Sequence, residues 1–421
     1  MRLEMAALGT SRNDDSRIDH LDRNDPLGPI RERFALPEGT IYLDGNSLGA
    51  LERTVPERLR TTIAEEWGRG LIGSWVGAGW IDLPKRVGAK IAGLVGAEPD
   101  EVIVGDSTSV NLFKATLAAA GLDPNRRTVL SERGEFPTDT YMAAGAASIG
   151  GTLRHRLCDE GGLAAALDGD TAVAVLSHVH YRSGEARDMA SLGARARAAG
   201  APIVWDLSHS AGAIRVDLGA AGADFAVGCG YKYLGGGPGA PAFLYVARRH
   251  QGGVRSPLPG WLGHAEPFAF DDAYRPARGI ARFVCGTPGI LGLVALDAAL
   301  DALAGVDMAA VERKGRALGQ LFIELVEDRC GRFGLSLASP RDPGRRGCHV
   351  ALRHGHGYPV MRALIERGVI GDFRDPDILR FGFAPLYTRY RDVADAVEIL
   401  RDVLASGAWR EPRFAVRASV T

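Results

Sequence analysis

Between residues 101 and 246 short apolar runs alternate with helical stretches, and this alternation constrains the fold more than any other property of the chain. EVIVG (101–105) is a compact strand pattern, followed by Asp106-Ser107-Thr108-Ser109 and a helix over about 110–120. RTVLSE, TLRHRL, TAVAVLSHVH and the run at Ile203 repeat the theme, with helical segments after FPTD, over 163–167 and over 189–199. Apolar strands separated by helices predict an α/β fold with a mostly parallel central sheet and helices on both faces. Ligands in such sheets bind beyond the carboxyl ends of the strands. Ser109, Phe136, Asp139, Ser177, Asp206 and Lys232 all fall at or just after expected strand ends, so they are expected to share one site.

The segment 201–246 carries the most chemistry. Its first strand stops at Asp206, with His209 three residues on. A second strand ends in Cys229-Gly230-Tyr231-Lys232-Tyr233, followed by glycines 235, 236, 237 and 239 and a third apolar run over 242–246. Lysine forms Schiff bases. A carboxylate at the end of a buried strand needs a partner, and a protonated pyridine nitrogen is one. Singly, Asp206 reads as a turn carboxylate and Lys232 as a solvated amine. Together in one strand–turn–strand unit they read as a site for pyridoxal 5'-phosphate (PLP). The run at 107–109 is either a simple helix N-cap or an anion site, since free N–H groups and the helix dipole converge there.

Composition narrows the class. Hydrophobic residues make up 46%, charged residues 24%, and the formal net charge is −1. No basic field favours nucleic acid or a membrane surface as a partner. Five cysteines without a CxxC argue for a reducing compartment and against a disulfide framework or zinc site. No apolar run reaches about 18 residues, and no signal-like segment opens the chain, so a cytoplasmic protein is expected. No metal is expected. His178 and His180 alternate near a strand end, but a third ligand is not evident.

The first 40 residues are polar, and the first dozen are expected to be disordered. Residues 1–50 are read as an N-terminal arm joining the small domain, 51–299 as the large PLP-binding domain, and 300–421 as a smaller C-terminal α/β domain. Trp75 and Trp80 lie in a Gly-broken loop and either line a pocket or plug a core edge. The irregular stretch over 252–289 is expected to be functional or an interface. Arg380 in ILRFGF needs an anion, which is either a substrate carboxylate or an internal salt-bridge partner.

YLDGNSLG, SWVGAGWIDLP, FPTD, WDLSHSAGA, GYKYLGGGPG, GWLGH and RFGFAPLY occur in that order between about 40 and 400. The set resembles the kynureninase family of fold-type I PLP enzymes, in the aminotransferase class V branch. The resemblance implies hydrolysis of L-kynurenine, a small-molecule substrate, to anthranilate and L-alanine, in tryptophan degradation or NAD biosynthesis. It implies that Lys232 carries the cofactor and shuttles protons, that Asp206 pairs with the pyridinium nitrogen, and that Phe136 stacks on the ring. Thr108 and Ser109 would hold the phosphate; Asp139, Ser177 and His209 would complete the cage; Tyr231 would contact the phosphate and assist proton transfer. Trp261 and Thr287 would reach the phosphate region across a homodimer interface with shared active sites. Arg380 would clamp the substrate carboxylate, with Ser47 and Trp75 on the aryl side. Thr287, His180 and Glu135 depart from common family wording, and Thr287 and Trp75, where a polar Asn and a His would engage the extra hydroxyl, imply weaker use of 3-hydroxykynurenine. Two rival readings are another class V enzyme, such as a cysteine desulfurase or selenocysteine lyase, and a non-catalytic PLP-binding homologue. The first needs a mobile thiol, and neither Cys330 at a helix end nor Cys348 at a strand start is placed for that.

Overall fold

The computed structural model describes residues 12–417. The expected disorder of the first dozen residues therefore lies outside the described residues, apart from Arg12. The chain divides into two compact units. One comprises 47–181 and 185–308; the other comprises the chain up to Asn46, the short piece 182–184, and everything from Ala309 onward. The divisions fall at 46/47 and 308/309, beside the sequence boundaries of 50 and 299.

The large unit is built on seven strands: β1 (Val102–Val104), β2 (Thr128–Glu132), β3 (Arg154–Cys158), β4 (Thr171–Ser177), β5 (Ile203–Asp206), β6 (Phe225–Gly228) and β7 (Phe243–Val246). Their order in the sheet is β1-β7-β6-β5-β4-β2-β3. β3, β2, β4, β5 and β6 run parallel, with one register shift at Thr128/Val129 between β2 and β4, and with Ser177 beside Asp206 and Asp206 beside Val227. β7 is antiparallel to both β6 and β1. The sheet is mostly parallel, as alternation predicts. The reversed strand was invisible to pattern, because an apolar run of four residues reads the same in either direction. Every residue of β1, β2, β4, β5, β6 and β7 is buried, which is why these strands are mostly apolar.

Helices α1 (Leu83–Val95), α2 (Thr108–Ala120) and α3 (Pro137–Ser148) cover the sheet. Gly96 ends α1 in the left-handed conformation (φ 63°). Ser107 caps α2: its Oγ accepts from Val110 N at 3.3 Å. Leu112, Ala115 and Ala119 of α2 pack with Val173 and Val175 of β4 and Val204 of β5 in the core.

The small unit contains α4 (Met308–Cys330), which fills the expected 308–330, and a four-stranded antiparallel sheet. That sheet comprises β8 (Ser336–Leu337), β9 (His349–Arg353), β10 (Asp372–Arg374) and β11 (Ile378–Gly382), in the order β8-β9-β11-β10. Short strand Ile41–Tyr42 pairs in parallel with Val369–Ile370. A helix over Arg12–Arg23 was not expected from so polar a segment. Its apolar stripe is only Ile18 and Leu21, and both pack into the core of this unit. Buried Lys314 on α4 pairs with Asp25 at 2.6 Å, which fixes the chain just after that helix.

Candidate active site

The carboxyl ends of β4 and β5, the N-termini of α2 and α3, and the turn after β6 enclose one cavity within the large unit. Nine of the expected residues line it: Thr108, Ser109, Phe136, Asp139, Ser177, Asp206, His209, Tyr231 and Lys232. Six of them, Ser109, Phe136, Asp139, Ser177, Asp206 and Lys232, are those the sequence places at or just after strand ends.

Two turns position the reactive groups. After β5, Asp206 Oδ1 accepts from Ser208 N at 2.8 Å, and Ser208 Oγ accepts from Cys229 N at 3.2 Å, so the turns after β5 and β6 hold each other. His209 Nε2 lies 3.0 Å from Lys232 Nζ. The Lys232 turn is tight: Gly235 N donates to Lys232 O at 3.0 Å and Gly236 N to Gly230 O at 2.8 Å. Gly49, from YLDGNSLG, donates to Tyr231 O at 2.8 Å. A Cβ on Gly49 would stand 2.2 Å from Lys232 O, so only glycine fits there.

The cavity is electrostatically polarised. Asp139 and Asp206 are both fully buried neighbours, and burial raises the pKa of each. For Asp139 the neighbouring Asp206 and Glu135 charges raise it further, well above the ordinary carboxylate range. Among the described residues, Asp139 Oδ2 meets no hydrogen-bond donor. Lys232 is the cation that offsets this pair, lowering both pKa values against burial. At another wall, the Thr108 and Ser109 hydroxyls sit in the first turn of α2, where unpaired N–H groups favour an anion. Phe136 is 42% exposed although it lines the cavity, and its ring meets Tyr181 edge-on at 5.3 Å. The donor set thus fits a flat ring with an anionic group, a protonated ring nitrogen and a carbonyl within reach of an amine. PLP has these three groups.

The remaining expected residues lie elsewhere. Thr287 lines a different cavity, with Asp106, Lys114 and Cys285. Trp261 sits in a short turn with its ring 5.7 Å from that of Phe268. Trp75 is half-buried and meets Trp80 edge-on at 6.2 Å, while buried Trp80 donates to Glu66 Oε2 at 2.9 Å. Ser47 is half-buried at the start of the large unit. Arg380, in the small unit, is buried against Asp372: Nε donates to Oδ1 at 2.8 Å, and Nη2 donates to Oδ2. The internal salt bridge, one of its two readings, is therefore present. Sequence reasoning missed Tyr181, Val179, Thr138 and Ser208 as lining residues. Their only signal was adjacency to the residues that were found.

Cys330 and Cys348 give no support to a sulfur-transfer site. Cys330 and Cys348 are buried, and burial pushes both up to about 12.

Comparisons with known proteins bear on the family and the fold. A family model described as the kynureninase C-terminal domain matches residues 311–400. A Burkholderia mallei (strain SAVP1) protein named kynureninase is 53% identical over 407 residues, covering 95% of this chain and 98% of its own length. A Pseudomonas fluorescens protein of the same name is 50% identical over 419 residues, covering 98% of this chain and all of the relative. Among solved structures, a cysteine desulfurase from Thermococcus onnurineus NA1 matches with a TM-score of 0.75 at 19% identity, over 90% of this chain and 98% of that one. A C-DES mutant with glycine covalently linked to its PLP cofactor matches with a TM-score of 0.78 at 16% identity, over 88% and 99%. At such identities these structures speak to the fold, which is that of fold-type I PLP enzymes.

Proposed function

The chain belongs to the kynureninase family, and from that premise we infer that it is a PLP-dependent hydrolase converting L-kynurenine to anthranilate and L-alanine. The observation that carries this reading is the convergence in one cavity of Lys232, a buried carboxylate pair and a helix N-terminus. Bound PLP supplies the electron sink for carbon–carbon cleavage. Lys232 would anchor it, and Lys232 Nζ would then take the proton from the substrate Cα. His209, at 3.0 Å, orients that amine. Asp206 and Asp139 would hold a protonated ring nitrogen, Phe136 would cover the ring face, and Thr108 and Ser109 would bind the phosphate. Ser177 completes the wall beside Asp206, and Tyr231 would assist proton transfer.

The substrate residues are proposals of the same kind. Arg380 would bind the substrate carboxylate, with its Nε edge held by Asp372, and Ser47 and Trp75 would flank the aryl group. Trp261 and Thr287 would reach the phosphate of a second subunit in a homodimer. Exposed Trp67, Leu71, Ile72 and Val76, together with Phe268 and Phe270, support such an interface. Three domains of action follow the sequence division: an arm over 1–50, the cofactor domain over 51–299 and the small domain over 300–421. No helix among the described residues is long and apolar enough to cross a membrane, and a cytoplasmic location suits the free cysteines.

The test is direct. Purified protein mixed with PLP and L-kynurenine should release anthranilate, read by its fluorescence, and Lys232→Ala should lower the rate by roughly 10³-fold. 3-Hydroxykynurenine in the same assay should give the lower kcat/KM. No anthranilate from the wild type, or undiminished turnover by the variant, rejects the assignment.

A further inference from the structure

Behind the cavity wall lies a buried charge cluster that the reaction above does not use. Glu135, in the turn after β2, is only 4% exposed. Its Oε2 accepts from both Ser177 N, at 3.1 Å, and Ser177 Oγ. Its Oε1 faces Arg187 Nη2 at 2.7 Å. Arg187 Nη2 also pairs with Glu132 at 2.7 Å, and Arg187 Nη1 donates to Ser177 O at 2.9 Å. Glu135 and Arg187 thus hold the amide, hydroxyl and carbonyl of one residue, and that residue lines the cavity beside Asp206. Glu135 also immediately precedes Phe136 in the chain, so one side chain ties together two parts of the wall.

We propose that Glu135 is a positioning residue for the cofactor: it binds the Ser177 hydroxyl proton, so that Ser177 presents only lone pairs to the cavity. The argument is one of proton accounting. Oε1 faces a guanidinium and Oε2 faces the Ser177 amide. A carboxylate only accepts, and Oε2 is the oxygen that the Ser177 amide and hydroxyl both reach, so the single hydroxyl proton of Ser177 is directed to Oε2. Ser177 then accepts a hydrogen bond from whatever polar group lies in front of it and does not donate one. The charges around Glu135 are those of Arg187 and Glu132, with His180 and Asp139 also acting on or responding to it.

Glu135→Gln inverts this arrangement without changing volume. Arg187 would keep the amide oxygen against its own N–H groups and turn Nε2 toward Ser177. The Ser177 hydroxyl would then accept from Nε2 and direct its own proton into the cavity. Arg187 remains paired with Glu132, so the fold is not stripped of a buried charge partner.

This inference rests on the PLP reading, and the test separates the two. Wild type must first bind PLP and release anthranilate; failure there overturns the functional reading and this inference with it. In PLP-loaded protein, Glu135→Gln should raise the Kd for PLP by about three- to tenfold and change the ratio of the bound cofactor's visible absorbance bands. Ser177→Ala alone should also change that ratio. In the Ser177→Ala background, where only the backbone N–H of residue 177 still faces residue 135, Glu135→Gln should keep no more than a small part of its effect. The proposal is overturned if wild type is active but Glu135→Gln leaves both Kd and spectrum unchanged. It is equally overturned if Ser177→Ala is spectrally silent, or if the Glu135→Gln effect persists in full without the Ser177 hydroxyl. Should Glu135→Gln not fold, the Ser177→Ala spectrum alone decides.

Discussion

Asp139 illustrates how a single carboxyl couples the site to stability. Its pKa is raised in the folded protein, chiefly by burial and then by Asp206 and Glu135. Such a group binds more protons folded than unfolded once pH exceeds its ordinary value. Stability is therefore greatest below that value and falls as pH rises toward the folded pKa. In PLP-free protein, Asp139→Asn should remove this penalty. Its stability relative to wild type should grow as pH rises above the ordinary carboxylate range, by denaturant melts at each pH. The same variant should bind PLP more weakly, because a cation at the pair is then less needed. Asp139, Asp206 and Lys232 were legible in the sequence because strand ends announce themselves by a break in apolar runs. Glu135 was legible only as an unusual residue before FPTD. Its partners Ser177 and Arg187 lie on a distant strand end and the loop beyond it, and no local pattern connects them. Arg380 was left with two readings, and Asp372, eight residues away, supplies the internal partner.

Among the elements, the Lys232 turn depends on a segment far from it in sequence. Gly49 packs against Lys232 O and 3.0 Å from Gly235 Cα for any added Cβ. Gly49→Ala should push the turn outward, lowering stability by about 1–3 kcal/mol and reducing PLP occupancy, as read by thermal melts and by cofactor absorbance. Helices α1, α2 and α4 were read within a residue or two, since each carries a sustained apolar face and a cap or glycine stop. The helix over Arg12–Arg23 was missed because two apolar residues make no measurable period; packing of Ile18 into the core supplies what pattern could not. YLDGNSLG was uninterpretable as pattern alone. The structure gives its last glycine a packing reason, which is a contact rather than a local signal.

For the whole molecule, an exposed apolar surface sets the testable expectation. Ile72 is 81% and Val76 84% exposed, with Trp67 and Leu71 nearby in sequence. Such side chains left in water favour association. Sedimentation equilibrium should give about twice the 44.7 kDa chain mass, and Ile72→Asp combined with Val76→Asp should shift the protein toward monomer. The pairing of Ile41–Tyr42 with Val369–Ile370 has a consequence for synthesis. The first strand leaves the ribosome with its partner still about 330 residues away, a wait of tens of seconds at roughly 5–20 residues per second. All thirteen cavity-lining residues emerge long before that partner does. During translation the large unit can close first, while the early arm trails as an unpaired edge that a chaperone would have reason to cover.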